Sequence, residues 1–187
     1  QFISEYSVLK KAQKRAQQDK QIILQSMNTY VDIEVMYLAA DGTVTSLTDG
    51  KGVWEFAGEA RERLWFKTDR GADFCRCISL PKARLRVENA LLDAAKTVIP
   101  ESDGLMTRIL PISAGLLIQY ERDACSEFRF FDYDGRLLET LPLPDRFGCA
   151  VFGETVLPAA EAHRLYFTFE SFTRRRSLFT QIGRAHV

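Results

Sequence analysis

The fold is decided by the stretch Phe128-Arg129-Phe130-Phe131-Asp132-Tyr133-Asp134-Gly135-Arg136-Leu137-Leu138-Glu139-Thr140-Leu141. An Asp-Gly pair here separates two runs that are rich in aromatic and aliphatic side chains. Such a pair is the strongest short-range signal for a β-hairpin, because a type I′ turn needs a positive φ at both of its central positions. The stretch therefore predicts two antiparallel strands joined by a tight turn of type I′.

The same design occurs earlier in the chain, where residues 41–42 form an Asp-Gly pair within the apolar stretch 33–47. Each hairpin is followed by similar segments, of which an aromatic strand is the clearest. Copies of this strand begin near Leu64, Leu116 and Leu165. They are about fifty residues apart, which is close to the period of a propeller blade with four short strands.

This period predicts an all-β fold, namely a partial β-propeller of about three four-stranded antiparallel blades over residues 31–181. A single blade is too small to bury both of its faces, and stacked neighbours supply the missing core. A β-sandwich is the alternative, but its strands recur every 8–12 residues without a longer period. A closed propeller needs at least four blades, so the pattern predicts a portion of a larger ring.

Two segments depart from the strand pattern. Residues 1–30 are predicted to be a helical N-terminal segment, because helix-forming residues dominate up to residue 28 and apolar residues recur at a spacing of three to four. Its basic side chains suggest a solvated face rather than a nucleic-acid or membrane surface; they are Lys10, Lys11, Lys14, Arg15 and Lys20. Residues 83–96 are predicted to form a small helix or an excursion of an outer strand, before an extended run resumes at Thr97.

The composition is that of a soluble globular protein. The chain has 187 residues, of which 46% are hydrophobic, and its 25 basic and 25 acidic side chains balance. A net charge of zero gives no general attraction to nucleic acid or to an anionic membrane, and we expect neither as a partner. Four cysteines are too few for a disulfide scaffold, so a reducing compartment is expected. The prediction is a cytoplasmic protein, with the periplasm left open.

Both ends of the sequence look unnatural. The first residue is Gln1 rather than Met. Residues 182–187, Ile-Gly-Arg-Ala-His-Val, resemble one reading frame of a common DNA sequencing adapter and are interpreted as an artefact, with a genuine tail as the alternative. On this interpretation His163 is the one authentic histidine.

No set of residues in the sequence predicts chemistry. Cys75 and Cys77 are two residues apart without further metal ligands nearby, and Cys125 and Cys149 are isolated. Buried structural thiols are therefore expected at all four positions. His163 lies in a charged loop without a nucleophile, and Arg174-Arg175-Arg176 is interpreted as a basic turn between two strands. The chain has no Gly-x-Ser-x-Gly elbow and no phosphate-binding loop. We therefore predict no catalytic residue, no cofactor site and no metal site.

The segment from about Val98 to Gln181 resembles the β-propeller domain of the prolyl oligopeptidase family of serine peptidases. The resemblance rests on residues 98–101, on residues 120–135 and above all on residues 165–173. The last stretch reads Leu-Tyr-Phe-Thr-Phe-Glu-Ser-Phe-Thr and follows the Gly-containing strand 147–153. Residues 33–82 are compatible with it. Arg174-Arg175-Arg176 stands where the family often has a proline, and the N-terminal segment has no counterpart.

The resemblance implies a fragment of a substrate-gating propeller. In this family the propeller covers the active site of a C-terminal α/β-hydrolase domain of the same chain and admits short peptides. The triad belongs to that domain, so no catalytic residue is carried over to this sequence, and the fragment itself is expected to be inert. A propeller that serves as a non-enzymatic protein-interaction scaffold is the alternative.

Overall fold

The structure, a computed structural model, describes residues 22–27, 32–145, 147–152 and 164–182. These residues form fourteen strands in four antiparallel sheets, called A to D in chain order. Sheet A contains β1 (Ile22–Met27), β2 (Ile33–Leu38) and β3 (Val44–Ser46). Sheet B contains β4 (Trp54–Ala60), β5 (Arg63–Thr68), β6 (Arg76–Pro81) and β7 (Lys96–Ile99).

Sheets C and D repeat this meander. Sheet C contains β8 (Leu105–Ile112), β9 (Gly115–Arg122), β10 (Cys125–Phe131) and β11 (Leu137–Leu141). Sheet D contains β12 (Cys149–Phe152), β13 (Arg164–Glu170) and β14 (Ser177–Ile182). The predicted aromatic strands are β5, β9 and β13, each the second strand of its sheet, so the period of about fifty residues is confirmed as the repeat of a four-stranded unit.

The sheets are stacked face to face, with one apolar core between each pair. Along β5 the side chains alternate between two of these cores: Leu64 and Phe66 pack in the core between sheets A and B, and Trp65 packs in the core between sheets B and C. In β9, Leu116 faces sheet B and Leu117 faces sheet D. Because alternate residues of a strand point to opposite faces, each inner sheet buries both faces, as the propeller prediction requires.

The blade prediction is confirmed in outline. Sheets B and C are complete four-stranded units, and sheets A and D each show three strands among the described residues. In sheet A the described strands include the outer hairpin of a unit, since β2 and β3 flank the Asp-Gly turn as β10 and β11 do.

Both Asp-Gly hairpins form, but the predicted type I′ turn is wrong. Only Gly42 (φ 86°) and Gly135 (φ 89°) adopt positive φ in these loops, and in each the glycine amide donates to the carbonyl oxygen three residues earlier. This is a type I turn followed by a left-handed glycine, the usual three-residue hairpin loop. Two-residue loops with positive φ at both positions occur instead at Arg61-Glu62 and Asp123-Ala124.

The helical prediction for the N-terminal segment is wrong where the structure describes it. Residues 22–27 form β1, paired with β2 from Ile22↔Leu38 to Met27↔Ile33. Ile23 packs against the core between sheets A and B while Ile22 and Leu24 pack on the opposite side, against Leu38. Apolar contacts on both faces favour a strand over a one-sided helix. Residues 1–21 and 28–30 of the predicted segment lie outside the described residues.

The small helix expected within residues 83–96 is present as α1 (Ala90–Asp93), preceded by a 3-10 turn at Lys82–Arg84. Ala90 and Leu91 fill the outer end of the core between sheets A and B. In the described part of the chain, no helix is long and apolar enough to cross a membrane.

Candidate functional site

One end of the sheets carries backbone hydrogen bonds between neighbouring blades, and we call it the joint pole. Because successive strands run in opposite directions, the loops 69–75, 100–104 and 171–176 and the described residues 142–145 and 147–148 all lie at this end. The Met106 amide donates to the Phe74 carbonyl oxygen at 2.9 Å between sheets B and C. The Ser126 amide donates to the Gly148 carbonyl oxygen at 2.9 Å between sheets C and D.

A buried polar clasp at Ala150 strengthens the second of these joints. The Ser126 hydroxyl accepts a hydrogen bond from the Ala150 amide at 2.9 Å and lies 3.2 Å from its carbonyl oxygen. The Gln119 amide nitrogen donates to that same oxygen at 2.8 Å. All three residues are buried, so each bond forms away from water, where an unpaired backbone group would be costly.

Charged side chains surround Tyr120 near the joint pole. Arg129 lies over the Tyr120 ring, 4.6 Å from its centroid, and pairs with Glu127 and Asp103, while Asp103 also pairs with Arg122. Burial works against the ionised form of Asp103, but the two arginines hold its pKa below the usual value. Burial raises the pKa of Tyr120 to about 12, so its hydroxyl is a poor general base at neutral pH.

A half-open cleft of about 690 Å³ lies between the β9–β10 turn and the connector from β11 to β12. Its lining combines charged residues, Arg122, Asp123 and Glu127, with apolar residues of the connector such as Leu143 and Phe147. Phe147 is 58% exposed. The lining of this cleft is therefore mixed, with charged side chains from β9, β10 and their turn and apolar side chains from the connector.

The turn between β13 and β14 is held to the same connector. Asp145 accepts hydrogen bonds from the hydroxyls of Ser171 and Thr173 at 3.2 Å and 3.1 Å. Phe172, between them, is fully exposed. Arg174 lies over the Phe179 ring, 5.9 Å from its centroid. The run Arg174-Arg175-Arg176 lies in the turn between β13 and β14, as predicted.

The cysteines are confirmed in part as buried thiols. Cys75 and Cys77 are buried in the core between sheets B and C, where burial raises the pKa of Cys75 and raises that of Cys77 to about 12. Cys75 is not a strand residue, because it precedes β6 with a φ of 64°. Cys125 is half-buried and Cys149 is exposed, so the expectation of burial is wrong for Cys149.

The structure assembles no catalytic group from the described residues. His163 and His186 both lie outside them, so no histidine is available there as a base. Asp132 accepts the backbone amides of Asp134 and Arg136, and this confines it to the hairpin turn. No group of three or more potential metal ligands is present in the described ranges.

Sequence reasoning missed the residues that join the blades. Ser126, Gln119 and Asp145 carry no local signal, since each of their partners lies more than twenty residues away in another element. The period of about fifty residues was the one sequence pattern that predicted contact between neighbouring sheets.

The fold is similar to that of several solved proteins. One solved structure superposes with a TM-score of 0.73 at 22% identity, over 87% of this chain and 23% of that one. It comes from a study of two prolyl endopeptidases and of the role of inter-domain dynamics in catalysis and specificity. Oligopeptidase B from Leishmania major superposes with a TM-score of 0.65 at 15% identity, over 90% of this chain and 26% of that one. The chain is part of a β-propeller. It has the fold of the propeller region of these peptidases.

A third structure widens this set. Prolyl oligopeptidase B from Galerina marginata, bound to a 35mer hydrolysis and macrocyclization substrate, gives a TM-score of 0.68 at 16% identity, over 89% of this chain and 23% of that one. This partial propeller thus spans about a quarter of the length of the structures it matches. No family model and no curated protein matches the sequence.

Proposed function

We propose that this chain is a fragment of the substrate-gating propeller of a prolyl-oligopeptidase-like serine endopeptidase that acts on short peptides. The observation that carries the proposal is the superposition of 87–90% of the chain on peptidases four times its length. The identity of 15–22% supports a shared fold, and the peptidase activity is our inference from it.

The arrangement of the sheets suits a gate. Each blade contacts the next through an apolar core and a few hydrogen bonds at the joint pole, so an arc of blades is a continuous wall. Such a wall limits by size what reaches a chamber behind it. The reacting groups would come from the α/β-hydrolase domain of the same parent chain. That domain would supply the nucleophile, the base and the oxyanion hole of acyl transfer.

Two measurements on different proteins test this proposal. The isolated 187-residue chain should not hydrolyse a proline-containing fluorogenic peptide, because it supplies no triad. The parent protein, expressed from the source DNA, should cleave that peptide and spare the same sequence inserted in a loop of a folded domain. A parent without peptidase activity would overturn the enzyme assignment and favour the interaction scaffold, whereas equal cleavage of both substrates would overturn the gating role alone.

A further inference from the structure

Ser177 follows three arginines on an exposed surface. The sequence Arg174-Arg175-Arg176-Ser177-Leu178 crosses from the β13–β14 turn into β14, and all five residues are exposed. Leu178 is 71% exposed. The Ser177 hydroxyl donates to the Arg175 carbonyl oxygen at 3.0 Å, a contact at the surface that an incoming group can replace.

The backbone here protrudes from the regular ladder. Ser171 and Arg174 exchange backbone hydrogen bonds at 2.9 Å and 3.3 Å, and the next pair in the ladder is Phe169 with Ser177. Arg175 and Arg176 therefore stand opposite Glu170 alone, which is the two-against-one count of a β-bulge. A bulge leaves part of its strand unpaired, so this segment is open to another protein.

No other hydroxyl of the chain combines these features. In the whole sequence Ser177 is the one serine or threonine with arginine both two and three residues before it. Ser79 has Arg76 three residues before it, but it is fully buried in β6. Ser171 and Thr173 lie nearby, but their hydroxyls are bound to Asp145 and no arginine precedes them closely.

We propose that Ser177 is a phosphorylation site for a serine kinase with an acidic substrate groove. Guanidinium groups two and three residues before the acceptor would pair with carboxylates of such a groove, and charge patterns of this kind set kinase specificity. This proposal is independent of whether the parent is a peptidase.

The transfer uses Mg·ATP as the phosphoryl donor. Ser177 Oγ forms a bond to the γ-phosphorus while the bond from that phosphorus to the β–γ bridging oxygen breaks, and ADP leaves with the electron pair. The hydroxyl proton passes to the catalytic aspartate of the kinase. The new phosphate adds a charge of about −1.5 to −2 next to three arginines. It would compete with the Glu170 carboxylate for the Arg176 guanidinium, two groups that are 3.9 Å apart.

The test uses the 187-residue chain, Mg·ATP and the catalytic subunit of the cAMP-dependent protein kinase, an arginine-directed enzyme. We expect one phosphate per chain, located on Ser177 by mass spectrometry of peptides. Ser177→Ala should take up none, Ser177→Thr should be modified more slowly, and the matched variant Thr180→Ala should behave as the unchanged chain. Arg175→Gln should lower the rate roughly tenfold, the loss expected for one charge-assisted hydrogen bond.

Ser79 reports whether the substrate is folded. It should stay unmodified in the native chain and become accessible only in denaturant. The proposal is overturned if a synthetic peptide of residues 172–180 is phosphorylated while Ser177 in the folded chain is not, or if Arg175→Gln leaves the rate unchanged. Phosphate on Ser171 or Thr173 in place of Ser177 would equally overturn it.

Discussion

Gly42 and Gly135 occupy the same position of two equivalent hairpin turns but have different surroundings. Both have left-handed φ values, 86° and 89°. A Cβ at Gly42 would meet nothing within 4 Å, whereas a Cβ at Gly135 would lie 2.1 Å from the carbonyl oxygen of Val98 in β7. The second turn is therefore pressed against the outer strand of the neighbouring sheet.

Alanine substitutions at these two glycines should separate backbone strain from packing. Gly42→Ala should lower the free energy of unfolding by about 1–2 kcal/mol, the cost of a left-handed residue with a Cβ. Gly135→Ala should lower it by a further ~1–3 kcal/mol, because the backbone of sheet B must move to avoid the clash. Urea denaturation of both variants measures the difference. Equal losses would show that sheets B and C do not meet at this turn.

Two buried groups near the joint pole should make the folded chain less stable at alkaline pH. Burial raises the pKa of Cys77 from 9.0 to about 12 and that of Tyr120 from 10.0 to about 12. The folded chain therefore keeps protons that the unfolded chain has already lost. The stabilisation is fully present below pH 9 and should be lost as the pH rises from about 9 to 12.

The midpoint of urea denaturation, measured across this pH range, tests the prediction. Cys77→Ala removes one of the two groups, so its midpoint should fall less steeply with pH than that of the unchanged chain. Cys149→Ala, at an exposed thiol, is the control and should keep the original steepness. If all three curves were parallel, the Cys77 thiol would not be buried as described.

At the scale of strands and turns, the sequence predicted the hairpins and their repeat but not the turn geometry. The Asp-Gly pairs located both loops, but the type of turn depends on whether one or two residues adopt a positive φ. In both loops only the glycine adopts a positive φ. The type I′ loops lie instead at Arg61-Glu62 and Asp123-Ala124, which carry no glycine. Local composition therefore located the turns but did not determine their geometry.

The misassigned β1 shows how tertiary packing overrides local preference. Ile23 and Met27 are spaced as on one face of a helix, and helix-forming residues precede them. Pairing with β2 instead places Ile22 and Leu24 on the side opposite Ile23. The partner strand lies beyond the reach of a local pattern, and the polar clasp at Ala150 was missed for the same reason.

The joint between sheets C and D should depend on the Ser126 hydroxyl. Ser126→Ala removes the acceptor for the buried Ala150 amide, and a buried unpaired donor costs ~1–3 kcal/mol. Thermal unfolding followed by circular dichroism should show a lower melting temperature for this variant. Ser113→Ala, at an exposed turn, is the matched control and should change stability by less than about 0.5 kcal/mol. A Ser126→Ala variant as stable as the control would show that the clasp does not hold the blades together.

At the scale of the whole molecule, the isolated chain should associate. Among the described strands, β11 is the last of sheet C and pairs with β10 alone, and its Leu137 and Leu138 are 49% and 51% exposed. Exposed strand edges with apolar side chains favour pairing between molecules. We expect concentration-dependent oligomers in sedimentation velocity, reduced by Leu138→Lys but not by Val87→Lys in the exposed loop before α1. A monomer with a sharp, reversible melt would contradict this expectation.

The source DNA beyond the codon for Gln181 decides whether these four sheets belong to the propeller of a larger peptidase. We expect an open frame that first encodes a short apolar strand able to pair with β14. Within a few hundred codons it should then encode a Gly-x-Ser-x-Gly elbow after a strand and before a helix. A frame that continued only with further four-stranded repeats and then stopped would contradict the peptidase assignment and leave a propeller that serves as a scaffold.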